Sequence, residues 1–467
     1  MITLAFDRGT LVVRADDGLP DDLKIPNVVF DPRVNLWRAP ARCYRDICSA
    51  LEKGNRDVTA EGEDRPSSAF RDDAARYENL NLISQIDRRP FPYQQEAVDA
   101  WWKAGGRGVV VLPTGAGKTF VAQMILERVQ KSALVVTPTL DLMQQWYGVL
   151  STSFDEDIGL VGGGYYELRP VTVTTYDSAY LHVERFGDRF GLVVFDECHH
   201  LPGPSYQLAA DCALAPYRLG LTATPEREDG RDQHLSVLIG PTVYRQEIKK
   251  LAGEFLAEYE TIRIRVDLSD EEREKYVAAR ETYLDFVRSN NIQMSGPGGW
   301  SYFLRMTSRS KTGRHAFLAY REQKTVAQAS TAKLRLLERL LDTHRRDRVL
   351  IFTNDNETVY RISRRFLIPA ITHQSKVKER YEILQKFNAG TYPFVVTSKV
   401  LNEGVDVPDA NVAVVLSGSG SVREHVQRLG RILRRRKGKR ATLYEVVAEN
   451  TAEEFVSSRR RRHDAYS

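Results

Sequence analysis

The chain has 467 residues, 28% charged and 42% hydrophobic, enough for two or three domains with cores of their own. Its net charge is only +5, so overall charge does not announce a nucleic-acid binder, and the distribution of charge has to be read instead. No apolar run approaches the roughly 18–20 residues of a bilayer span, and the first residues lack a signal-peptide pattern. Cys43, Cys48, Cys198 and Cys212 contain no C-x-x-C pair, which argues against a zinc ribbon or a disulfide framework and predicts reduced thiols in a cytoplasmic protein.

Residues 1–88 read as a small mixed domain. Runs 2–6 and 10–14 are β-rich around Asp7-Arg8-Gly9, a hairpin signal. A helical pattern follows over 43–53 with Gly54 as its stop, and the polar stretch 57–73 reads as a linker. Over 89–248 the pattern changes to short apolar runs (108–112, 133–137, 171–175, 192–195 and 219–222) separated by helical segments. Strands apolar on both faces and spaced by helices imply a parallel sheet covered on both sides. Residues 249–330 read as an inserted helical subdomain. It opens at the capping-box spacing Ser269/Glu272, continues with Tyr276, Ala279, Tyr283 and Phe286 at helical intervals, and contains a flexible turn over 290–301. The alternating rhythm returns over 331–450, with strands expected at 348–352, 394–397, 412–416 and 442–447. Residues 451–467 read as a basic C-terminal tail, with disorder expected at Arg459–Arg462. The fold class is therefore α/β, with two parallel-sheet lobes, a small N-terminal α+β domain and a helical insertion.

Three motifs carry chemistry. Leu112-Pro-Thr-Gly-Ala-Gly-Lys-Thr119 lies between a strand and a helix, although Leu112 stands where a first glycine is usual. Such a turn lets backbone N–H groups converge on phosphate at a helix N-terminus. Thr114, Gly115, Ala116 and Gly117 would form the cradle for ATP, Lys118 would reach the β- and γ-phosphates, and the Thr119 hydroxyl would ligate Mg²⁺. Asp196-Glu-Cys-His199 ends a strand. Asp196 suits Mg²⁺ and Glu197 suits the attacking water. A transition-metal site from Asp196, Cys198, His199 and His200 is the alternative. Gln427-Arg-Leu-Gly-Arg-Ile-Leu-Arg434 puts Gln427, Arg431 and Arg434 on one face of a helix, where guanidiniums could neutralise charge on a transferred phosphoryl group. Read alone, that motif belongs to a solvated basic run that also holds Arg428, Arg435, Arg436, Lys437, Lys439 and Arg440.

Together these motifs resemble the superfamily 2 helicases over nearly all of residues 89–440, which implies RecA-like lobes with ATP held in the cleft between them. Tyr93-Gln94 resembles the adenine-reading element. Thr137-Pro138-Thr139 resembles a segment that holds the nucleic-acid backbone, and Thr222-Ala-Thr224 the hydroxyl pair linking hydrolysis to lobe movement. Gly404-Val-Asp-Val-Pro408 resembles an element touching ribose, through Asp406, and strand. Within the superfamily the chain is most similar to the XPB helicases of DNA repair, in their short archaeal form. Arg227-Glu228-Asp229 resembles that family's arginine–glutamate–aspartate motif, residues 1–88 its damage-recognition domain, and the insertion its thumb. The segment starting at Thr175 reads much as it does there.

The resemblance implies a monomeric, nucleoid-associated ATPase that moves 3′ to 5′ and opens single-stranded, forked or bubble DNA in excision repair or transcription. Nucleic-acid contacts are then expected at Thr137, Pro138, Thr139, Thr175, Arg227, Glu228, Asp229, Thr353 and Thr397. A structure-specific nuclease partner fits the archaeal form, but no residue points to one. An RNA motor, a duplex translocase without unwinding and a clamp that binds ATP without turnover are the competing readings. Arg227 and its neighbours read equally well as a wedge or strand contacts, or as a salt-bridge cluster between the lobes.

Overall fold

The computed structural model describes residues 2–15, 25–58, 70–227, 229–294, 298–398, 401, 410–418, 421–433 and 439–460. The chain divides into two compact units, Met1–Pro113 with Gly117–Gln246, and Thr114–Ala116 with Glu247–Ser467.

The first unit begins with the expected hairpin. Strands Ile2–Asp7 and Thr10–Ala15 pair antiparallel with Asp7 opposite Thr10. Arg8 and Gly9 form the two-residue turn at φ 45° and 79°, the left-handed pair that matches the twist of the flanking strands. Five strands make this sheet, in the order Val29–Asp31, Leu36–Pro40, Thr10–Ala15, Ile2–Asp7 and Arg71–Asp73. Arg71–Asp73 pairs parallel to the first strand, so the end of the expected linker is part of the sheet. The helix Tyr44–Val58 packs Tyr44, Ile47 and Leu51 against Leu4, Leu11 and Val13. It runs through Gly54, because a helical glycine costs only about 1 kcal/mol and does not by itself end a helix.

This small sheet is joined to the lobe that follows. Leu214 completes its apolar cluster, Arg42 pairs with Asp211 at 2.7 Å, and a β-carbon at Gly9 would come within 2.6 Å of Cys212 Sγ. Residues beyond 75 then lace across the lobe by backbone bonds. Arg76 N–H donates to the Asp188 carbonyl (2.9 Å), Leu80 to Gln130 (2.9 Å) and Gln85 to Ser153 (2.8 Å).

The lobe itself is an eight-stranded sheet. Its order is Thr242–Arg245, Arg107–Val111, Tyr217–Thr222, Leu192–Asp196, Ala133–Thr137, Val171–Thr175, Ile158–Gly162 and Tyr165–Glu167. Every neighbouring pair is parallel except the last. The five strands expected from sequence form its interior. The three others lie toward its edges, where glycine-rich or half-exposed segments give a weak apolar signal.

The second unit holds a six-stranded parallel sheet, ordered Glu258–Val266, Arg440–Ala448, Val412–Val415, Val349–Phe352, Phe394–Thr397 and Ala370–Ile371. Glu258–Val266 falls inside the stretch expected to be a helical insertion. Its alternation of charged and β-branched residues is the period-2 pattern of a half-covered edge strand. Helices Asp270–Ser289, Gly299–Thr307 and Lys311–Gln328 follow, with Tyr283, Ile292 and Phe303 buried between them. The turn expected over 290–301 is shorter, since the next helix begins at Gly299. At the other end, the chain after 451 is not all tail, because Ala452–Arg460 is a helix. Glu453 on that helix accepts the fully buried Lys333 ammonium at 2.6 Å, a pair whose loss of one partner would leave a charge stranded in the core.

The capping box at Ser269 forms as expected and does more than cap. Ser269 Oγ accepts the Glu272 N–H (3.3 Å), and Glu272 Oε2 accepts the Ser269 N–H (3.2 Å). Glu272 Oε1 also accepts both the backbone N–H (2.8 Å) and the hydroxyl (2.9 Å) of Thr331, at the start of helix Thr331–Thr343. Partial burial raises the Glu272 pKa, but these bonds outweigh it and hold the carboxyl below its ordinary value. Glu272→Ala is expected to lower stability by about 2 kcal/mol. The contribution is present above the ordinary glutamate pKa and fades as pH falls through the depressed one, so melting of wild type and variant should converge in acid.

Candidate active site

The strand Arg107–Val111 leads into Leu112, which is fully buried and donates its N–H to the Thr222 carbonyl at 3.0 Å. The position where the general motif has glycine directly follows the strand and is core, which accounts for a leucine there. Gly115 and Gly117 follow at φ 88° and 81°, left-handed conformations that an L side chain adopts only under strain. Helix Lys118–Val129 starts at once, with Thr119 in its first turn, so its unsatisfied N–H groups open onto the turn. Gln94 is buried and its Oε1 accepts the Phe91 N–H (3.0 Å) at the start of helix Pro92–Lys103. Its Nε2 rests against Gly117, where an added β-carbon would approach to 2.4 Å. The expected base-reading amide is thus anchored directly beside the phosphate turn.

Asp196 ends the strand Leu192–Asp196 and is 5% exposed. Its Oδ2 accepts the Trp146 indole N–H (2.7 Å), its Oδ1 the Glu197 N–H (2.9 Å), and its carbonyl the Tyr176 hydroxyl (3.0 Å). Burial and then the neighbouring Glu197 charge push the Asp196 carboxyl up to about 6, against the opposing pull of Lys118. Trp146 and Tyr176 lie far from the motif in sequence, and nothing local pointed to them.

Glu197 adopts a left-handed backbone, φ 45° and ψ 51°, a strained state for a residue with a side chain. That turn brings its Oε1 within 3.2 Å of Lys118 Nζ. His199, fully buried, lies 3.5 Å from Glu197 Oε2 and shares a 3.0 Å hydrogen bond with Thr222 Oγ1. Thr222 Oγ1 also accepts the Thr224 N–H at 3.2 Å. Three segments read separately in the sequence, the phosphate turn, the acidic turn and the threonine pair, thus form one connected network. The transition-metal alternative is not supported. The Cys198 thiol is buried and pushed far up by desolvation, and among the described residues no group of three His, Cys, Asp or Glu side chains could hold a metal.

Arg227 belongs to the same network. Its Nη1 donates to the His199 carbonyl (2.5 Å), while Nε and Nη2 grip Asp229 at 2.8 and 2.6 Å. The ion pair seen here, Arg227 with Asp229, lies inside the motif itself. Glu228 lies outside the described residues.

The threonines expected at the strand mostly face inward. Thr137 is buried with its hydroxyl donating to the Thr174 carbonyl (3.1 Å), and Pro138 is half-buried. Thr139 and Thr175 cap helices Leu140–Ser153 and Tyr176–Phe186, accepting Leu142 N–H and Ser178 N–H, each at 3.2 Å. Thr353 is buried and bonded to the Asp355 carbonyl (2.9 Å), and Thr397 is buried beside it on the next strand. Their side chains set up loops and helix starts, and only Thr139 keeps appreciable exposure.

In the second unit, helix Val422–Gly430 carries Gln427, which is buried. The expected helix through 434 stops sooner. Arg431 is the residue capping its end, still in a right-handed conformation, with its N–H bonded to the Arg428 carbonyl at 3.1 Å. Arg428, read as part of a solvated basic run, is 1% exposed and lies over the Phe352 ring at 5.2 Å. Arg434 and Asp406 lie outside the described residues.

Two parallel-sheet units, a glycine turn opening a helix and a strand-end acid pair are the layout of a superfamily 2 helicase. Residues 87–227 match the family described as the res subunit of type III restriction enzymes, and 332–436 the helicase conserved C-terminal domain. Residues 4–60 match the xeroderma pigmentosum group B helicase damage recognition domain. A protein of Sulfurisphaera tokodaii named DNA 3'-5' translocase XPB2 is 43% identical over 386 residues, 80% of this chain and 88% of that protein. The DNA 3'-5' helicase XPB of Kineococcus radiotolerans is 34% identical over 79% of this chain and 62% of its own length. The yeast factor IIH helicase/translocase subunit XPB/SSL2 is 26% identical, and the match spans 45% of that longer protein. The chain belongs to the XPB helicase family. No helix among the described residues is long and apolar enough to cross a membrane.

Proposed function

We propose that the protein hydrolyses ATP to drive 3′-to-5′ movement on DNA, opening the duplex during repair or transcription. The observation that carries this reading is the network joining Lys118, Glu197, His199 and Thr222, with Glu197 held in a strained turn 3.2 Å from the lysine. Backbone strain of this kind persists where the surrounding structure overdetermines it. Lys118 then shifts from Glu197 to the phosphates of incoming ATP, and Glu197 is released to orient and deprotonate the attacking water. A chain that only bound ATP would have no use for that second carboxylate. Gln94, through its amide beside Gly117, is the proposed adenine contact, and Asp406 the ribose contact. Arg431 and Arg434 are proposed to neutralise charge developing on the transferred phosphoryl group, with Gln427 a polar contact from the same motif.

A divalent cation fits the donors present. Asp196 and Thr119 offer one buried carboxylate and one hydroxyl, a set suited to Mg²⁺, which keeps water and phosphate oxygens as its remaining ligands. When bound it would shield the charge of the phosphates.

DNA contact is assigned to the helix starts capped by Thr139 and Thr175, to the loops after Thr353 and Thr397, and to a basic hairpin in the helical part of the second unit. Arg305, Arg309, Lys311 and Arg314 are exposed there, and none has a carboxylate within ion-pair reach among the described residues. Arg305 stacks over Tyr302 at 5.4 Å, and Arg309, Lys311, His315 and Asp285 line a cleft of about 910 Å³. Unpaired cations beside aromatic rings suit a phosphate backbone with no sequence preference. The double change Arg309→Glu, Lys311→Glu is expected to weaken single-strand binding at every sequence. It should also flatten the plot of log affinity against log salt by about 1.4, the share of two phosphate contacts.

The test of the proposed function is ATP turnover measured with single-stranded, duplex, forked and bubble DNA and with RNA. Stimulation by DNA, strongest with forks or bubbles, is expected. Stimulation by RNA alone would make this an RNA motor, and stimulation by duplex without strand separation a translocase.

A further inference from the structure

We propose that Arg227 is a positioning residue for ATP hydrolysis, holding the turn that carries Glu197 through its hydrogen bond to the His199 carbonyl. The inference deepens the motor reading and rests on Glu197 handling the attacking water.

The acidic turn is anchored unevenly. Its near end is fixed by the Asp196 bonds to Trp146 and Tyr176, and the Glu197 side chain by Lys118. Its far end is the short helical segment Cys198–His200. His199 is tied through its ring to Thr222, and its backbone carbonyl accepts from Arg227 at 2.5 Å. Arg227 is itself not free to swing. Asp229 takes two of its nitrogens in a paired arrangement and also accepts the Arg231 N–H at 3.2 Å, so the guanidinium is presented at a fixed angle. The Arg227 side chain is only 20% exposed, which leaves little of it for an outside partner.

The arrangement has a mechanical consequence. Glu197 is left-handed and strained, so the turn tends to relax toward an ordinary backbone unless both ends are held. When ATP draws Lys118 away from Glu197, one anchor of the turn is lost, and the Arg227 bond remains as a restraint on its far end. A guanidinium five residues past Thr222 also ties the threonine pair to the turn a second time, beside the His199–Thr222 bond. Arg227 touches no phosphate and no water in this scheme, and it acts by keeping Glu197 where it is needed.

The experiment compares full-length wild type, Arg227→Ala, Arg227→Lys, Asp229→Asn and Glu197→Gln for ATP kcat and KM, single-strand affinity and melting. Arg227→Ala is expected to lower kcat about 10- to 100-fold while KM and DNA affinity stay within about twofold, because a misplaced base costs rate rather than binding. Arg227→Lys should recover part of kcat, since a single ammonium can still donate to the carbonyl, and Asp229→Asn should fall between. Wild-type kcat in Arg227→Ala with strand separation lost would overturn the proposal and hand the arginine to the DNA. If Arg227→Ala melts early, the lysine and asparagine variants decide, and wild-type kcat in both refutes the positioning role. A wild type without ATP turnover, or a Glu197→Gln variant with full turnover, would instead defeat the motor reading itself.

Discussion

Lys118→Ala is expected to stop ATP hydrolysis, lowering kcat by about 10³, while single-strand binding stays largely intact. The size follows from what the ammonium does. It pairs with Glu197 at 3.2 Å beside the turn at Gly115 and Gly117, within reach of a phosphate held above that turn. Removing it costs the transition state a charge and takes from Glu197, 12% exposed, its contact with the ammonium. The DNA-binding surfaces proposed above lie on other loops, so affinity for a labelled oligonucleotide should barely move. Turnover at the wild-type rate would remove Lys118 from the mechanism.

Glu197→Gln is expected to be nearly as severe, but in a different way. The amide keeps the shape of the side chain and an oxygen that can still accept from Lys118, so ATP binding should persist. It cannot take a proton, and loss of a general base is worth about 10² to 10⁴ in rate. Rapid-quench measurement of a single turnover separates the two variants. Glu197→Gln should bind ATP and stall before cleavage, whereas Lys118→Ala should also bind the nucleotide more weakly. A burst of product from Glu197→Gln would show that the acid serves a later step.

How far the sequence could be read follows from what kind of signal each part leaves. The phosphate turn, the acidic turn and the interior strands of both sheets are local patterns, and each was legible from spacing and apolar runs alone. Edge strands were not. Glu258–Val266 pairs along nine residues with Arg440–Ala448, yet its alternating charges look like a solvated segment until the partner strand is known. The reach of Trp146 to Asp196, across fifty positions, leaves no trace in sequence at all. Basic residues misled in both directions. Arg428 sits in a run that reads as surface and is buried on Phe352, whereas Arg309 and Lys311 drew no notice and stand exposed beside a cleft. The Arg227 motif could be recognised but not interpreted, because its partner is a backbone carbonyl, and carbonyls have no letter in the sequence.

The way the N-terminal sheet is fastened has a practical reach of its own. Its hairpin turn seats on Cys212, its cluster borrows Leu214, and the connecting residues are stitched to Asp188, Gln130 and Ser153. The sheet and the ATP-handling lobe are therefore one mechanical body. Whatever the sheet grips is carried along rigidly with the catalytic turn instead of trailing on a tether, so an obstacle met by one is felt by the other. For the same reason, a cut made near residue 88 would not release two independent pieces. It would strip from the lobe a segment bonded along it at Asp188, Gln130 and Ser153.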